Sequence, residues 1–213
     1  MREAASLCLA VALVLALAPS LDVAASSLFF DGARFPLSGV PLAEILRESV
    51  WSLAVALFLA CAVTWALSFA DSAIARREWG WGALVFLLGP GLLVNGVLKE
   101  FWGRARPRDA APFGGEAAFT PWWRPASECA SNCSFVSGEA SAAAAVAAVL
   151  WVWLSPHLPR APLAAALLAL AATTGLLRIA KGAHYLSDVL MAWALTAALA
   201  LMLRAALGLR GKW

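Results

Sequence analysis

Residues 79–107 read WGWGALVFLLGPGLLVNGVL followed by KEFWGRARP. From Trp79 to Leu98 there is no Asp, Glu, Lys or Arg, and then Lys99, Arg104 and Arg106 follow at once. A membrane helix needs about 20 mostly apolar residues. This stretch therefore reads as a membrane helix that delivers cations to one edge of the hydrocarbon. Working outward with the same criterion gives five more candidates: Ala4–Leu21, Ser49–Ala70, Ala140–Pro159, Ala161–Leu177 and Val189–Leu203. The last two are short unless their polar ends, with Arg178, His184 and Asp188, enter the helix. Ionisable groups drawn to a membrane edge mark function, because burying them is costly.

Composition agrees. Of 213 residues, 62% are apolar and only 14% charged, and the mean hydropathy is +0.79. Soluble domains carry about 25% charged residues, so an ordinary soluble globule is excluded, and disorder with it. A net charge of +3 is too small to argue for nucleic acid. The expected fold is all-α: a polytopic membrane bundle of six transmembrane helices forming a single domain, residues 1–213. An outer-facing loop is expected between helices 3 and 4. The first segment has an alternative reading as a signal peptide with a small-residue site near Val23–Ala25. An even helix number with both termini inside fits better with the segment retained.

Loop charges orient the chain. One side collects seven basic residues (Arg2, Arg76, Arg77, Arg160, Arg204, Arg210, Lys212) against three acidic ones (Glu3, Asp71, Glu78). The other side is nearly balanced. With Lys99, Arg106 and Arg178 set aside as site residues, the positive-inside rule makes the termini cytoplasmic and turns the Lys99–Gly138 connection outward. Trp51, Trp79, Trp81, Trp102, Trp122, Trp123 and Trp213 fall near segment ends and read as interfacial anchors. Ala-rich 140–148 suggests a helix packed closely against its neighbours. Cys8 and Cys61 lie in apolar segments and read as inert core residues. Cys129 and Cys133, in the outer connection, are expected to form a small disulfide where oxidation is allowed.

Three polar clusters sit at helix ends on one expected side: 99–107 (KEFWGRARP), 134–139 (SFVSGE) and 178–188 (RIAKGAHYLSD). Lys99, Arg106 and Arg178 can converge on one anion, Arg as a bidentate donor and Lys as a point charge. Ser137-Gly138 can open a helix whose free N–H groups also favour an anion. His184 and Asp188 are i, i+4 and are expected on one helix face. A carboxylate that accepts from one imidazole nitrogen leaves the other free as a nucleophile or base. Three cations, a helix start and an oriented His suit phosphoryl transfer without a metal or other cofactor. Arg104, Arg108 and Arg124 read as loop charges touching headgroups.

The spacing Lys99-x6-Arg106-Pro107, Ser137-Gly138, Arg178-x5-His184-x3-Asp188 resembles the three-part signature of the type 2 phosphatidic acid phosphatase family. The resemblance covers the chain from about Lys99 to the sixth helix. It implies a metal-independent lipid phosphate phosphatase with His184 as the nucleophile that forms a phosphohistidine. Asp188 would orient it, and Lys99, Arg106, Arg178, Ser137 and Gly138 would bind phosphate. Two positions depart from the family pattern. Glu139 stands where the family usually has the His that serves as general acid, and Leu177 stands where it usually has Ser. Glu139 is the candidate replacement acid. The Ser-Phe-Val-Ser-Gly-Glu form is similar to some bacterial members that act on lipid A. The expected setting is a bacterial inner membrane with the site facing the periplasm, the bilayer and a membrane lipid phosphate being the partners.

Other readings stay open at this point. A lipid in place of water as acceptor would make the protein a phosphotransferase. His184, Asp188 and Glu139 could form a metal triad, which three nearby cations oppose. A lipid-phosphate transporter would also use intramembrane cations, but these charges cluster at one side. The lipid and the oligomeric state are not legible in the sequence.

Overall fold

The computed structural model describes residues 2–70 and 72–209. Asp71, Arg210, Lys212 and Trp213 lie outside that range, and so do the side chains ahead of Leu9, Cys8 among them. Among the described residues there are helices and no strand, apart from one isolated bridge between Ala110 and Ala117.

The helices are α1 (Arg2–Leu17), α2 (Ser20–Ser27), α3 (Pro41–Leu67), α4 (Ala73–Phe86), a π-helical continuation (Leu87–Leu98), α5 (Lys99–Phe101), α6 (Gly138–Leu154), α7 (Arg160–Ala180) and α8 (Leu186–Ala206). Four rods are long and apolar enough to cross a membrane: Pro41–Leu67, Ala73–Phe101, Arg160–Ala180 and Leu186–Ala206. Counting the bent α1–α2 pair as one span makes five. The remaining apolar helix, α6, has 17 residues.

The first expected segment is broken. An 85° bend separates α1 from α2, at Pro19, which disfavours helical backbone in the residue before it. The turn carries Asp22 inward, where it is 2% exposed. The second expected helix starts at Pro41, ahead of Ser49, because the polar residues Glu44 and Arg47 lie on its first turns and face other helices.

Pro90 shapes the third rod. It has no N–H to donate and crowds the carbonyl one turn back, and the helix widens to π geometry across it. Asn95 Nδ2 donates to the Pro90 carbonyl at 2.6 Å and reseals the widened turn. Along α4, Trp81 is fully buried and its indole N–H donates to the Ala200 carbonyl of α8 at 2.9 Å. It is a core residue, not an interfacial anchor. Its flat ring fits where small residues let α4 and α8 approach.

Helix α6 is the central element, touching α3, α4, α7 and α8. Ala142, Ala143, Ala145, Val146, Val149 and Val152 are fully buried in it. Short side chains allow that close approach on several sides, as the alanine run suggests. The connection from Trp102 to Ser137 folds over one end of the bundle, with Cys129 and Cys133 bonded to each other. Trp122 stacks on Phe135 and is partly buried within this connection; Trp123 is 41% exposed.

Candidate active site

The ends of four helices meet under that connection. Lys99 lies in α5 and is 7% exposed; Arg178 lies in the last turn of α7 and is 6% exposed. Glu139 follows Ser137, whose hydroxyl caps α6 by accepting from the Ala140 N–H. His184, in the turn just ahead of α8, and Asp188, in the first turn of α8, are fully buried. Arg106 is half-buried in the connection and donates to the Asn132 carbonyl at 2.7 Å. Lys99, Arg106, Arg178 and Glu139 line one polar cavity of about 260 Å³. Gly138 is buried beside it and brings the α6 start against Asn95.

His184 sits in the turn between α7 and α8, not on the helix. Gly182 makes that turn possible: its φ is +60° and the Phe35 ring leaves no room for a Cβ. Consequently His184 and Asp188 do not share a helix face. The imidazole Nδ1 lies 2.7 Å from the Ser134 carbonyl and 3.8 Å from Asp188 Oδ2. A carbonyl only accepts, so Nδ1 carries the proton and Nε2 is bare. Burial pushes the imidazole down to about 4, against the pull of Asp188. The ring is therefore neutral at neutral pH.

Asp188 is spoken for. Oδ1 accepts from Arg104 at 2.6 Å; Oδ2 accepts from the Ser134 hydroxyl at 2.5 Å and the Tyr185 N–H at 2.9 Å. Asp188 thus holds Ser134, and Ser134 holds His184. The orienting bond expected from the carboxylate comes from a backbone carbonyl that the carboxylate fixes.

Arg104 is not a headgroup contact. It is fully buried, and besides Asp188 it donates to Ser187, to the Thr120 carbonyl, and to Asp22 at 2.8 Å. Its guanidinium lies 4.2 Å from the Tyr185 ring centroid. A guanidinium presents five donors in a plane, and here four acceptors surround it. Arg104 and Asp22 were missed because Asp22 stands just past an apolar run and nothing in the spacing pairs it with position 104.

The opposite edge of the imidazole faces Glu139, which lines the cavity. Glu139 Oε2 is 3.8 Å from His184 Nε2, and Oε1 is 3.4 Å from Arg178 and 3.7 Å from Arg47. Glu139 and Asp188 thus lie on opposite edges of the ring and face no common point. His184 Nε2, Glu139 Oε2 and Arg178 Nε are all buried without a hydrogen-bond partner. Nε2 and Oε2 are unused acceptors, whereas the unpartnered Arg178 Nε–H, with Lys99 and Arg106 on the same cavity, offers a place for an anion. Helix α3 adds a wall that no motif announced: Arg47 bonds Glu44 at 2.6 Å, and Glu44 also accepts from buried Lys181.

The PAP2 superfamily model matches residues 79–211. The lipid A 4'-phosphatase of Rhizobium leguminosarum is 36% identical over 197 residues, covering 82% of each chain. That of Francisella tularensis subsp. novicida is 38% identical over 114 residues, covering 50% of this chain and 48% of its own. A transmembrane PAP2-type phosphatidylglycerolphosphate phosphatase from Bacillus subtilis has a similar structure, with a TM-score of 0.61 at 25% identity. That alignment covers 97% of this chain and 96% of the other.

Proposed function

Because the chain belongs to the PAP2 superfamily and is a phosphatase acting on a membrane lipid, we propose that it removes a sugar-linked phosphate from lipid A through a phosphohistidine on His184. One observation carries the mechanism: a buried, neutral imidazole whose bare Nε2 lies against Glu139, in the wall of a cavity shared with Lys99, Arg106 and Arg178. The substrate class rests on the similarity to lipid A 4'-phosphatases.

The phosphate takes its place among Lys99, Arg106, Arg178 and the N–H groups of Gly138 and Glu139 at the start of α6, the Ser137 N–H being held by the Asp188 carbonyl. Their fixed charges stabilise the transferring group. Glu139 stands beside that cradle, and a carboxylate and a phosphate dianion there need a proton between them. A substrate entering as the monoanion supplies it, and Glu139 Oε2 receives it. Nε2 attacks phosphorus, the bond to the sugar oxygen breaks, and Glu139 gives its proton to that oxygen. Water then attacks the phosphohistidine, Glu139 takes a proton from the water, the N–P bond breaks to restore Nε2, and Glu139 passes its proton to the phosphate, which leaves as the dihydrogen monoanion. Asp188 acts through Ser134, as a positioning residue.

We also propose six membrane crossings, counting the bent α1–α2 pair and the enclosed α6. Lys99, Ser137, Arg178 and Asp188 then share the periplasmic end of a bacterial inner membrane. The alternation of the chain through these helices and the basic residues at the far end support this orientation.

Phosphate release from lipid A by the purified protein, against His184→Ala, is the direct test. The variant should lose turnover completely, and turnover retained would remove His184 from the mechanism. Glu139→Gln should still form the phosphoenzyme from a substrate with a good leaving group, yet hydrolyse lipid A at least about 100-fold more slowly. A near-normal rate would make Glu139 structural.

A further inference from the structure

At the far end of the bundle from His184, a groove of about 760 Å³ opens between α3 and α4. Its walls include Phe58, Ala62, Trp65, Phe69, Leu84 and Leu87. Its mouth carries Arg76 and Arg77. Arg76 is the unusual part. Its guanidinium carbon lies 4.3 Å from the Phe69 ring centroid and 5.7 Å from that of Trp65. Its Nε is buried with no hydrogen-bond partner. Neither arginine has a carboxylate partner among the described residues, whereas the neighbouring Arg204 is paired with Glu78 at 2.9 Å.

Aromatic faces hold and orient a guanidinium but do not neutralise it. Two unpaired arginines at the mouth of an apolar groove therefore match one ligand shape, an anion attached to hydrocarbon. Arg76 and Lys99 lie on the same rod, 23 positions apart in the sequence, which is roughly 35 Å of helix. The groove therefore meets the opposite leaflet from the catalytic cradle and cannot be part of it.

We propose that this groove binds an anionic phospholipid of the surrounding bilayer, with an acyl chain against Phe58, Ala62 and Leu84 and the phosphate between Arg76 and Arg77. The zwitterionic lipids bring a compensating ammonium and gain less from two guanidinium groups. The proposal does not depend on the reaction at His184.

Native mass spectrometry of the delipidated protein, titrated with phosphatidylglycerol or phosphatidylethanolamine of equal chain length, tests it. The titration is run in a Lys99→Gln/Arg178→Gln background, which silences the opposite anion cradle. One phosphatidylglycerol should bind about tenfold more tightly than phosphatidylethanolamine. Arg76→Gln/Arg77→Gln should abolish that preference, and Arg76→Lys/Arg77→Lys should keep most of it. Ala83→Phe, which fills the groove without touching charge, should weaken both lipids. In the otherwise unaltered chain, Arg76→Gln/Arg77→Gln should leave turnover of a short-chain substrate unchanged, showing that the protein is folded. Equal binding of the two lipids, or a preference that survives Arg76→Gln/Arg77→Gln, would overturn the proposal. So would a dimer mass that disappears with Ala83→Phe, since the groove would then be an interface between two copies.

Discussion

His184 is one of only two histidines in the chain, and its environment sets a specific pH behaviour. An ordinary imidazole takes up a proton near 6.5; buried His184 does so only near about 4. Its ring resonances should stay at their neutral position from pH 7.5 to 5.5 in a selectively labelled sample followed by NMR. Movement in that window would show the site to be wetter than its burial implies. The stability linkage has a definite sign. As pH falls from 6.5 toward 4, the unfolded chain binds this proton and the folded one does not. His184 therefore lowers stability over that window and has no effect above it. Arg104 gives a second prediction. Replacing it with Met leaves Asp22 and Asp188 buried without their shared cation, which should cost about 3–5 kcal/mol. Arg104→Lys should rescue little, because a lysine cannot reach four acceptors in a plane. Thermal unfolding in detergent measures both. That Lys99, Arg106 and Arg178 meet at one cavity was legible in the sequence because their spacing is a pattern. Arg104 was not, since three arginines occupy positions 104, 106 and 108 and sequence alone does not say which one turns inward.

Helix α3 shows what apolar scanning leaves out. A rule that forbids charge starts the helix at Ser49, yet the structure starts it at Pro41 and uses the excluded turns to wall the cavity. Glu44, Arg47, Lys181 and Glu139 form one chain of charges from α3 to α6 and to the turn after α7. Arg47→Gln removes a cation from beside Glu139 while leaving the signature residues intact. It should lower kcat/KM roughly tenfold, equivalent to one charge-assisted hydrogen bond, and steady-state kinetics read this directly. An unchanged kcat/KM would make the α3 wall a structural strap. The break after α1 and the π-helical stretch were equally hidden. Pro19 and Pro90 are visible in the sequence, but whether a proline bends a helix or widens it depends on the neighbours that reseal the backbone.

For the whole molecule, apolar runs sufficed to read an all-helical membrane bundle. They could not say that α6 would be enclosed by its neighbours or that Trp81 would be core. Both depend on which faces meet, and hydropathy is blind to that. Topology can be tested with single cysteines in a chain whose Cys8 and Cys61 are replaced and whose Cys129–Cys133 disulfide is kept. Trp123→Cys should react with a membrane-impermeant maleimide on intact spheroplasts, and Arg160→Cys should react only after lysis. The reverse pattern would invert the proposed orientation.

The buried bonds among Asp22, Arg104, Ser187 and Asp188 have a consequence for biosynthesis. Asp22 emerges from the ribosome 82 residues before Arg104 and 165 before Ser187. During all that time α2 holds a carboxylate with no cation to meet it. Helix α2 therefore docks late although it is made early, and the cradle is finished only when α8 arrives. A nascent chain halted before α8 displays an unmet acid near its start and an arginine short of its acceptors.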